Sequence, residues 1–323
     1  MSRPDDTSYL RLSYQIFSAM QTILGANGII GQEVSKYLPQ YSKRIRQVSR
    51  NPRKVNATDE TVSADLLNYQ QTEKAVAGSD IVYLMAGLKY DTKTWQQQWP
   101  VVMRNVIDAC KKHNSKLVFF DNVYAYGQVQ GPMTEQTPFK PISKKGEVRA
   151  RIATMLLDEI KQKNIQAMIV RAADFYGPGA VQSLTYSTVT ARLKAGKSPQ
   201  WIGDPKTIHT FTYTPDAGKT VGLLGNMASA YNQTWHALTS SEIVSGEDYV
   251  RMSCAAIGKP YKGVMSMPKF GVRMLGLFIP VLREFVEMMY QFENDYIFDS
   301  TKAQLALGID PSVYRVGIAE TMK

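Results

Sequence analysis

The feature that most constrains this chain is a short turn, Gly25-Ala26-Asn27-Gly28-Ile29-Ile30-Gly31, whose glycines recur every third residue. An apolar run at 21–24 leads into it, and helical spacing over 32–38 follows as far as Pro39. A strand that ends in such a turn and reopens as a helix lets the backbone approach a ligand closely. It also aims the helix N-terminus, with its unpaired amides, at a negative charge such as a pyrophosphate. Glycine spacing alone is a weak signal. Its place between a strand and a helix, at the head of a longer series, gives it weight.

That series runs on. A strand is expected at 44–48, then a short apolar patch leading to Asp65 and Leu66, then a helix over 70–77 stopped by Gly78. The run 81–85 reads as a strand buried on both faces and ends at Ala86-Gly87; a helix over 99–112 precedes a strand at 116–120. After a loop holding Gly131, Pro132, Pro138 and Pro141, a long helix over 145–163 feeds a strand at 167–170. Strand and helix in alternation predict an α/β fold with a doubly wound parallel sheet of Rossmann type. Beyond Gly177-Pro178-Gly179 the pattern loosens, with Tyr213-Thr214-Pro215-Asp216, a helix through Gly225, mostly helical spacing from Ser241, and a last segment at 298–307 that Asp299 would cap. The expected organisation is an extension at 1–19, a dinucleotide-binding domain at 20–180, and a mixed segment at 181–323. That last segment would complete the sheet and form a smaller, mostly helical substrate lobe.

Composition narrows the function classes. With 44% hydrophobic and 20% charged residues the chain should fold compactly. A net charge of +10 suits nucleic acid, an anionic membrane surface or phosphorylated small molecules. The densest basic group, Lys43, Arg44, Arg46, Arg50, Arg53 and Lys54, falls where such a fold meets the adenosine half of a dinucleotide. No nucleic-acid reading motif accompanies it, so the expected partner is a small molecule. Cys110 and Cys254 form no CxxC pair, and His113, His209 and His236 lack metal-ligand spacing, so neither a disulfide framework nor a metal is expected. Residues 1–19 lack the apolar core of a secretory signal. The apolar run 270–282 contains Arg273 and Pro280 and is shorter than the ~18 residues a spanning helix needs, so it reads as a core or interfacial helix. A cytoplasmic protein that crosses no membrane is expected.

In NAD-preferring folds of this kind an acidic residue about twenty positions beyond the turn accepts the ribose hydroxyls. Here that region reads Val48-Ser49-Arg50-Asn51, with no acid before Asp59. Ser49 and Arg50 suit a 2′-phosphate, the arginine through charge-assisted hydrogen bonds, so NADP is the preferred cofactor and NAD the alternative.

These pieces resemble a short-chain dehydrogenase/reductase of the extended or atypical type, the NAD-dependent epimerase/dehydratase family. The resemblance rests on the 25–31 turn, Ala64-Asp65-Leu66, Met85-Ala86-Gly87, Tyr126-Gly127, the run from Arg171 to Gly179 and the stretch from Tyr213 to Asp216. It implies cofactor contacts from Gly25, Asn27, Gly28, Ile29 and Ile30, from Ser49 and Arg50, from Asp65 and Leu66, from Ala86 and Gly87, and from Ala172, Asp174 and Phe175. It further implies that Tyr176 passes the nicotinamide and that Trp201, His209 and Phe211 line the substrate pocket, although ordinary packing explains each equally well. A homodimer paired through the helices at 99–112 and 145–163 is also implied.

The departure is at the catalytic centre. The family places a serine before the Tyr-Gly pair, then a tyrosine and a lysine four apart at the next long helix. Counting from Tyr126, these positions fall on Asn122, Lys145 and Arg149. Arg149 is expected to bind the ribose without relaying a proton, because its charge is permanent. Lys145, beside that cation and the positive nicotinamide, is expected to release a proton readily enough to act as acid or base. Asn122 would orient a carbonyl, and Tyr124 or Tyr126 would be the substitute phenol. The expected protein is therefore an NAD(P)-binding, epimerase/dehydratase-like oxidoreductase acting on a carbonyl, hydroxyl or sugar-like substrate. The alternatives are an inactive NADPH-binding sensor or scaffold, and a basic RNA- or membrane-associated protein that keeps the fold for its surface.

Overall fold

A computed structural model describes residues 19–323; most of the expected extension lies outside the described residues. In chain order the first half runs β1 (Met20–Leu24), α1 (Ile29–Tyr37), β2 (Arg44–Ser49), β3 (Glu60–Ser63), α2 (Tyr69–Val76), β4 (Ile81–Leu84), α3 (Thr92–Lys112), β5 (Lys116–Asn122), α4 (Lys144–Lys161) and β6 (Ala167–Ala172). The second half supplies β7 (Asp174–Tyr176), α5 (Ala191–Lys194), β8 (Gln200–Ile202), β9 (Phe211–Tyr213), α6 (Thr214–Gly225), β10 (Thr234–His236) and α7 (Gly246–Ala256). It ends with β11 (Met265–Met267), α8 (Lys269–Leu275), α9 (Pro280–Phe285), α10 (Tyr290–Glu293), α11 (Thr301–Leu307) and α12 (Tyr314–Met322).

Seven strands pair in the order β10-β6-β5-β4-β1-β2-β3, and every pairing is parallel. Parallel neighbours need crossover connections, which put helices on both faces and bury the strands twice over. Alternation then divides the side chains. Leu24, Val82, Leu84, Leu117 and Phe119 meet Trp99, Met103 and Leu156 of α3 and α4 on one face. Ile23, Tyr83, Val118, Met168 and Val170 meet Val34, Val221 and Leu224 of α1 and α6 on the other. The second half joins this sheet through β10, and α6 packs closely on α1 because Gly218 has no Cβ: one built there would lie 2.4 Å from the Glu33 Cβ. Two smaller pairs, β7 with β9 and β8 with β11, belong to the lobe.

Two elements differ from expectation. Helix α3 begins at Thr92, capped by the Asp91 side chain, which accepts from the Thr94 amide at 2.7 Å. The expected helix began at 99; the buried Trp95 and Trp99 belong to one helix that starts a turn and more earlier and runs through Pro100. The helix α12 carries no clear apolar stripe and was not expected; Tyr314 and Ile318 bury it in the lobe's core.

Glu159 of α4 bridges to α3, accepting from Arg104 and Lys111 at 2.9 Å each. The hydrogen bond from Lys111 outweighs the opposing effect of partial burial and holds its carboxyl at about 2. A depressed carboxylate stabilises the fold above its unfolded pKa and loses that contribution as pH falls through the folded value. Glu159→Gln should therefore cost about 1 kcal/mol at pH 7, allowing for solvent screening. Urea titrations should show the gap closing as pH drops from about 4.5 toward 2.

Candidate functional site: a dinucleotide crevice with its charges paired inward

At the C-terminal end of β1 the chain turns on Gly25, whose φ is +86°, and a Cβ there would lie 2.4 Å from the Ala86 Cα. The Gly25 and Ala26 amides both donate to the Val48 carbonyl, at 2.9 and 3.1 Å, so the turn is tied to β2 and pressed against the end of β4. Gly28 is the N-cap of α1 and offers no side chain to its first amides, which leaves them open at the crevice. Ile30 is buried and anchors the helix, so only its amide faces a ligand, while Asn27 is exposed and donates from Nδ2 to the Asn51 carbonyl at 2.7 Å. This backbone cradle fits a diphosphate.

The crevice continues over the strand ends. Ser49 closes β2 and Arg50 follows it, Asp65 and Leu66 follow β3, and Ala86 and Gly87 follow β4. Arg50 is exposed and its guanidinium has no partner among the described residues. The next acid, Asp59, is turned inward at 1% exposure, where it accepts from Gln47 Nε2 at 2.7 Å and from the Asn56 amide at 2.8 Å. Asp65 is half-buried and accepts from the Leu67 amide. Ala172 is fully buried, so only its backbone is available to a ligand, and Phe175 stacks on Phe120.

The centre differs from the expectation for Lys145 and Arg149. The Lys145 side chain is fully buried, and four oxygens surround its Nζ: Thr92 Oγ1 at 2.8 Å, the Glu284 carbonyl at 2.9 Å, Glu284 Oε2 at 2.7 Å and Glu287 Oε1 at 2.9 Å. Its neighbours are thus carboxylates of the C-terminal lobe. Partial burial works against the Glu284 charge, but the hydrogen bonds from Lys145 and Thr92 overcome it and hold that carboxyl below its ordinary value. Lys145 acts here as the lobe's latch. Arg149 likewise turns inward: its Nε donates to Asp121 Oδ1 at 2.6 Å, its Nη2 pairs with the same oxygen, and the guanidinium lies 4.5 Å from the Trp99 ring centre. A cation buried this deeply needs a counter-charge, and Asp121 supplies it. The ribose contact expected of Arg149 is therefore not in reach.

Of the two candidate phenols, Tyr126 is 1% exposed and belongs to an interior chain of hydrogen bonds. His236 Nδ1 donates to the Asp299 carbonyl at 2.6 Å, so its Nε2 accepts from the Tyr126 hydroxyl at 2.9 Å, which in turn accepts from Arg171 at 3.0 Å. Burial pushes the His236 pKa down to about 3, in keeping with a neutral ring. Tyr126 therefore leaves the list of proton carriers. Tyr124 is half-buried just beyond β5, stacked on Trp95, with a pKa raised well above the ordinary value mainly by burial. Asn122 accepts from the Tyr124 amide at 3.1 Å and so holds this turn.

Asp174 pairs with His209: Nε2 lies 3.0 Å from Asp174 Oδ2 while Nδ1 lies 3.0 Å from the Gln291 carbonyl. After burial, the Asp174 charge also helps to raise the pKa of Tyr90, Tyr124, Tyr290 and Tyr296, which gather around it. The Tyr296 hydroxyl is buried without a hydrogen bond. Tyr176, Trp201 and Phe211, by contrast, pack in the lobe's core, at 3% exposure or less. Sequence reasoning did not find Asp121, Thr92, Glu284 and Glu287. Asp121 was within reach, since it abuts Asn122 and two cations in a core region need an acid; the glutamates lie 139 and 142 positions from Lys145 and left no local signal.

Fold and crevice together define a Rossmann-type dinucleotide-binding α/β protein. The model of the NAD-dependent epimerase/dehydratase family matches residues 22–232, and the chain belongs to that family. It is 25% identical over 293 residues to 3beta-hydroxysteroid-dehydrogenase/decarboxylase isoform 2 of Arabidopsis thaliana, covering 81% of this chain and 51% of that protein. The chain thus spans about half the length of that curated relative. Among solved structures, dTDP-glucose 4,6-dehydratase of Bacillus anthracis in complex with NAD superposes with a TM-score of 0.77 at 15% identity, over 94% of this chain and 96% of that one. UDP-glucuronic acid 4-epimerase of Bacillus cereus, also with NAD, gives 0.75 at 18% identity, over 94% and 97%. At these identities the likeness shows the fold.

Proposed function

We propose that this chain is an NADP(H)-dependent oxidoreductase acting on a hydroxyl or carbonyl group of a sugar-like substrate. The supporting observation is the pairing of an open first turn of α1 with the unpartnered Arg50 guanidinium, where the next acid along the chain, Asp59, faces inward. A 2′-phosphate gains charge-assisted hydrogen bonds there. Calorimetric titration should give tighter binding of NADPH than of NADH, and Arg50→Ala should weaken NADPH about tenfold to a hundredfold while leaving NADH unchanged. Equal affinities in the native protein, or tighter NADH, would overturn the preference.

The nicotinamide supplies or accepts hydride at its C4. Tyr124, kept neutral by burial, donates a hydrogen bond to the substrate oxygen and carries its proton, while Asn122 fixes the turn that presents the ring. Lys145 and Arg149 hold structure and leave the proton to Tyr124. Tyr124→Phe should then lower kcat by about 10²–10⁴-fold with NADPH affinity retained. The names of the relatives, a hydroxysteroid dehydrogenase, a dehydratase and an epimerase of sugar nucleotides, support substrates bearing a secondary hydroxyl or ketone.

One observation favours a second reading, a dinucleotide-binding sensor or scaffold: both cations at the altered centre are committed to ion pairs. An absorbance screen at the reduced-nicotinamide band over sugar nucleotides, ketones and hydroxysteroids separates the two. Consumption of cofactor with any of them rejects the sensor; binding without consumption across all of them supports it.

A further inference from the structure

The helix α8 shows its body the wrong way round for a surface element. Val272 is fully buried and a Cβ at Gly276 would touch the Arg283 backbone at 3.0 Å, so this narrow side faces the protein, against Ile202 and Met289. The opposite side carries Phe270, Arg273 and Met274, and Leu277 follows in the turn beyond the helix, with Phe270 74% and Leu277 68% exposed. The chain beyond extends the patch: Phe278 is 83% exposed and Val281 56%. An amphipathic helix normally hides such a stripe, and a contiguous apolar patch of this kind marks an interaction site.

Charge indicates what covers it. Between Asp248 and Glu284 the chain has no acidic residue, while Lys262, Lys269, Arg273 and Arg283 are exposed around the apolar residues. Lys269 reaches Glu293 at 3.5 Å yet keeps 52% of its side chain exposed. The acids that follow, Glu284 and Glu287, are turned away to Lys145. A second copy of a chain carrying +10 would bring these cations against their own counterparts. No helix among the described residues is long and apolar enough to cross a membrane. An apolar centre with a mainly basic rim, where Glu293 is the acid paired with Lys269, instead matches a helix lying in the headgroup plane.

We infer that the face formed by residues 270–281 docks on the surface of an anionic bilayer. Phe270, Leu277 and Phe278 enter the boundary between headgroups and acyl chains, and Arg273 and Arg283 lie among the lipid phosphates. The inference is independent of the cofactor reading.

The test is co-sedimentation of the full chain with phosphatidylcholine vesicles, with and without about 30% phosphatidylglycerol. Binding to the anionic vesicles that falls steeply with added salt is the expected result. Phe270→Ser with Phe278→Ser, and separately Arg273→Glu, should each cut the bound fraction at least about tenfold. An unchanged far-ultraviolet spectrum and thermal midpoint show that these exposed substitutions leave the fold intact. Failure to bind anionic vesicles, or equal binding to neutral ones, overturns the inference. So does a dimer in light scattering that Phe278→Ser dissociates, because a second copy would then own the face.

Discussion

Asp121→Asn is expected to destabilise the protein by about 3–5 kcal/mol, the cost of leaving buried charge without its partner. Asp121 is 2% exposed and serves two guanidiniums at once: Arg149 through Oδ1 and Arg171, at 3.3 Å, through Oδ2. Both arginines are buried, at 4% and 1% exposure, so water cannot take over. An amide of the same shape keeps the packing and removes the charge, which isolates the electrostatic contribution. Urea denaturation measures it. Asp121→Asn combined with Arg149→Met should recover part of the loss, since one stranded cation is gone, and such coupling is what a double-mutant cycle reads. A loss below about 1 kcal/mol would mean that the two arginines find other compensation. Because Asp121 lies next to Asn122, the last residue of β5, the variant should also disturb the turn that presents the proposed proton carrier.

Gly25→Ala should abolish tight dinucleotide binding. The left-handed φ of +86° costs any other residue about 1–2 kcal/mol. The added methyl would also overlap the backbone of Ala86, 2.4 Å away, which is no flexible side chain that could swing aside. Either the turn or the end of β4 must move, and overpacking of this sort adds about 1–3 kcal/mol. Both shifts displace amides that would face the diphosphate. NADPH affinity should fall at least about a hundredfold, a difference of about 2.7 kcal/mol, with a lower thermal midpoint. Gly78→Ala is the control. Its φ is +71° but nothing lies within 4 Å of the added Cβ, so it should bear the strain alone and bind NADPH normally. If Gly25→Ala binds NADPH as the native chain does, the turn is not the cradle.

Much of the architecture was legible because its signals are local. The turn at 25–31, the doubly buried run at 81–85 and the alternation of strand and helix each depend on residues a few positions apart. The start of α3 was less legible: it was expected at 99, whereas the helix begins at Thr92 and buries Trp95 and Trp99 along one face. At the centre, residue types and positions were readable but not their orientations. Asn122, Lys145 and Arg149 were located by counting from Tyr126, yet counting says nothing about which way a long cationic side chain turns.

What the sequence determined by itself was the Rossmann framework and the glycine turn that opens α1. Only the tertiary structure decided that Lys145 meets acids 139 and 142 residues away and that Arg149 meets one 28 residues away. The reason is physical. Secondary structure follows from propensity and periodicity within a turn or two of chain, whereas a buried charge is satisfied by whichever opposite charge the completed fold delivers to it.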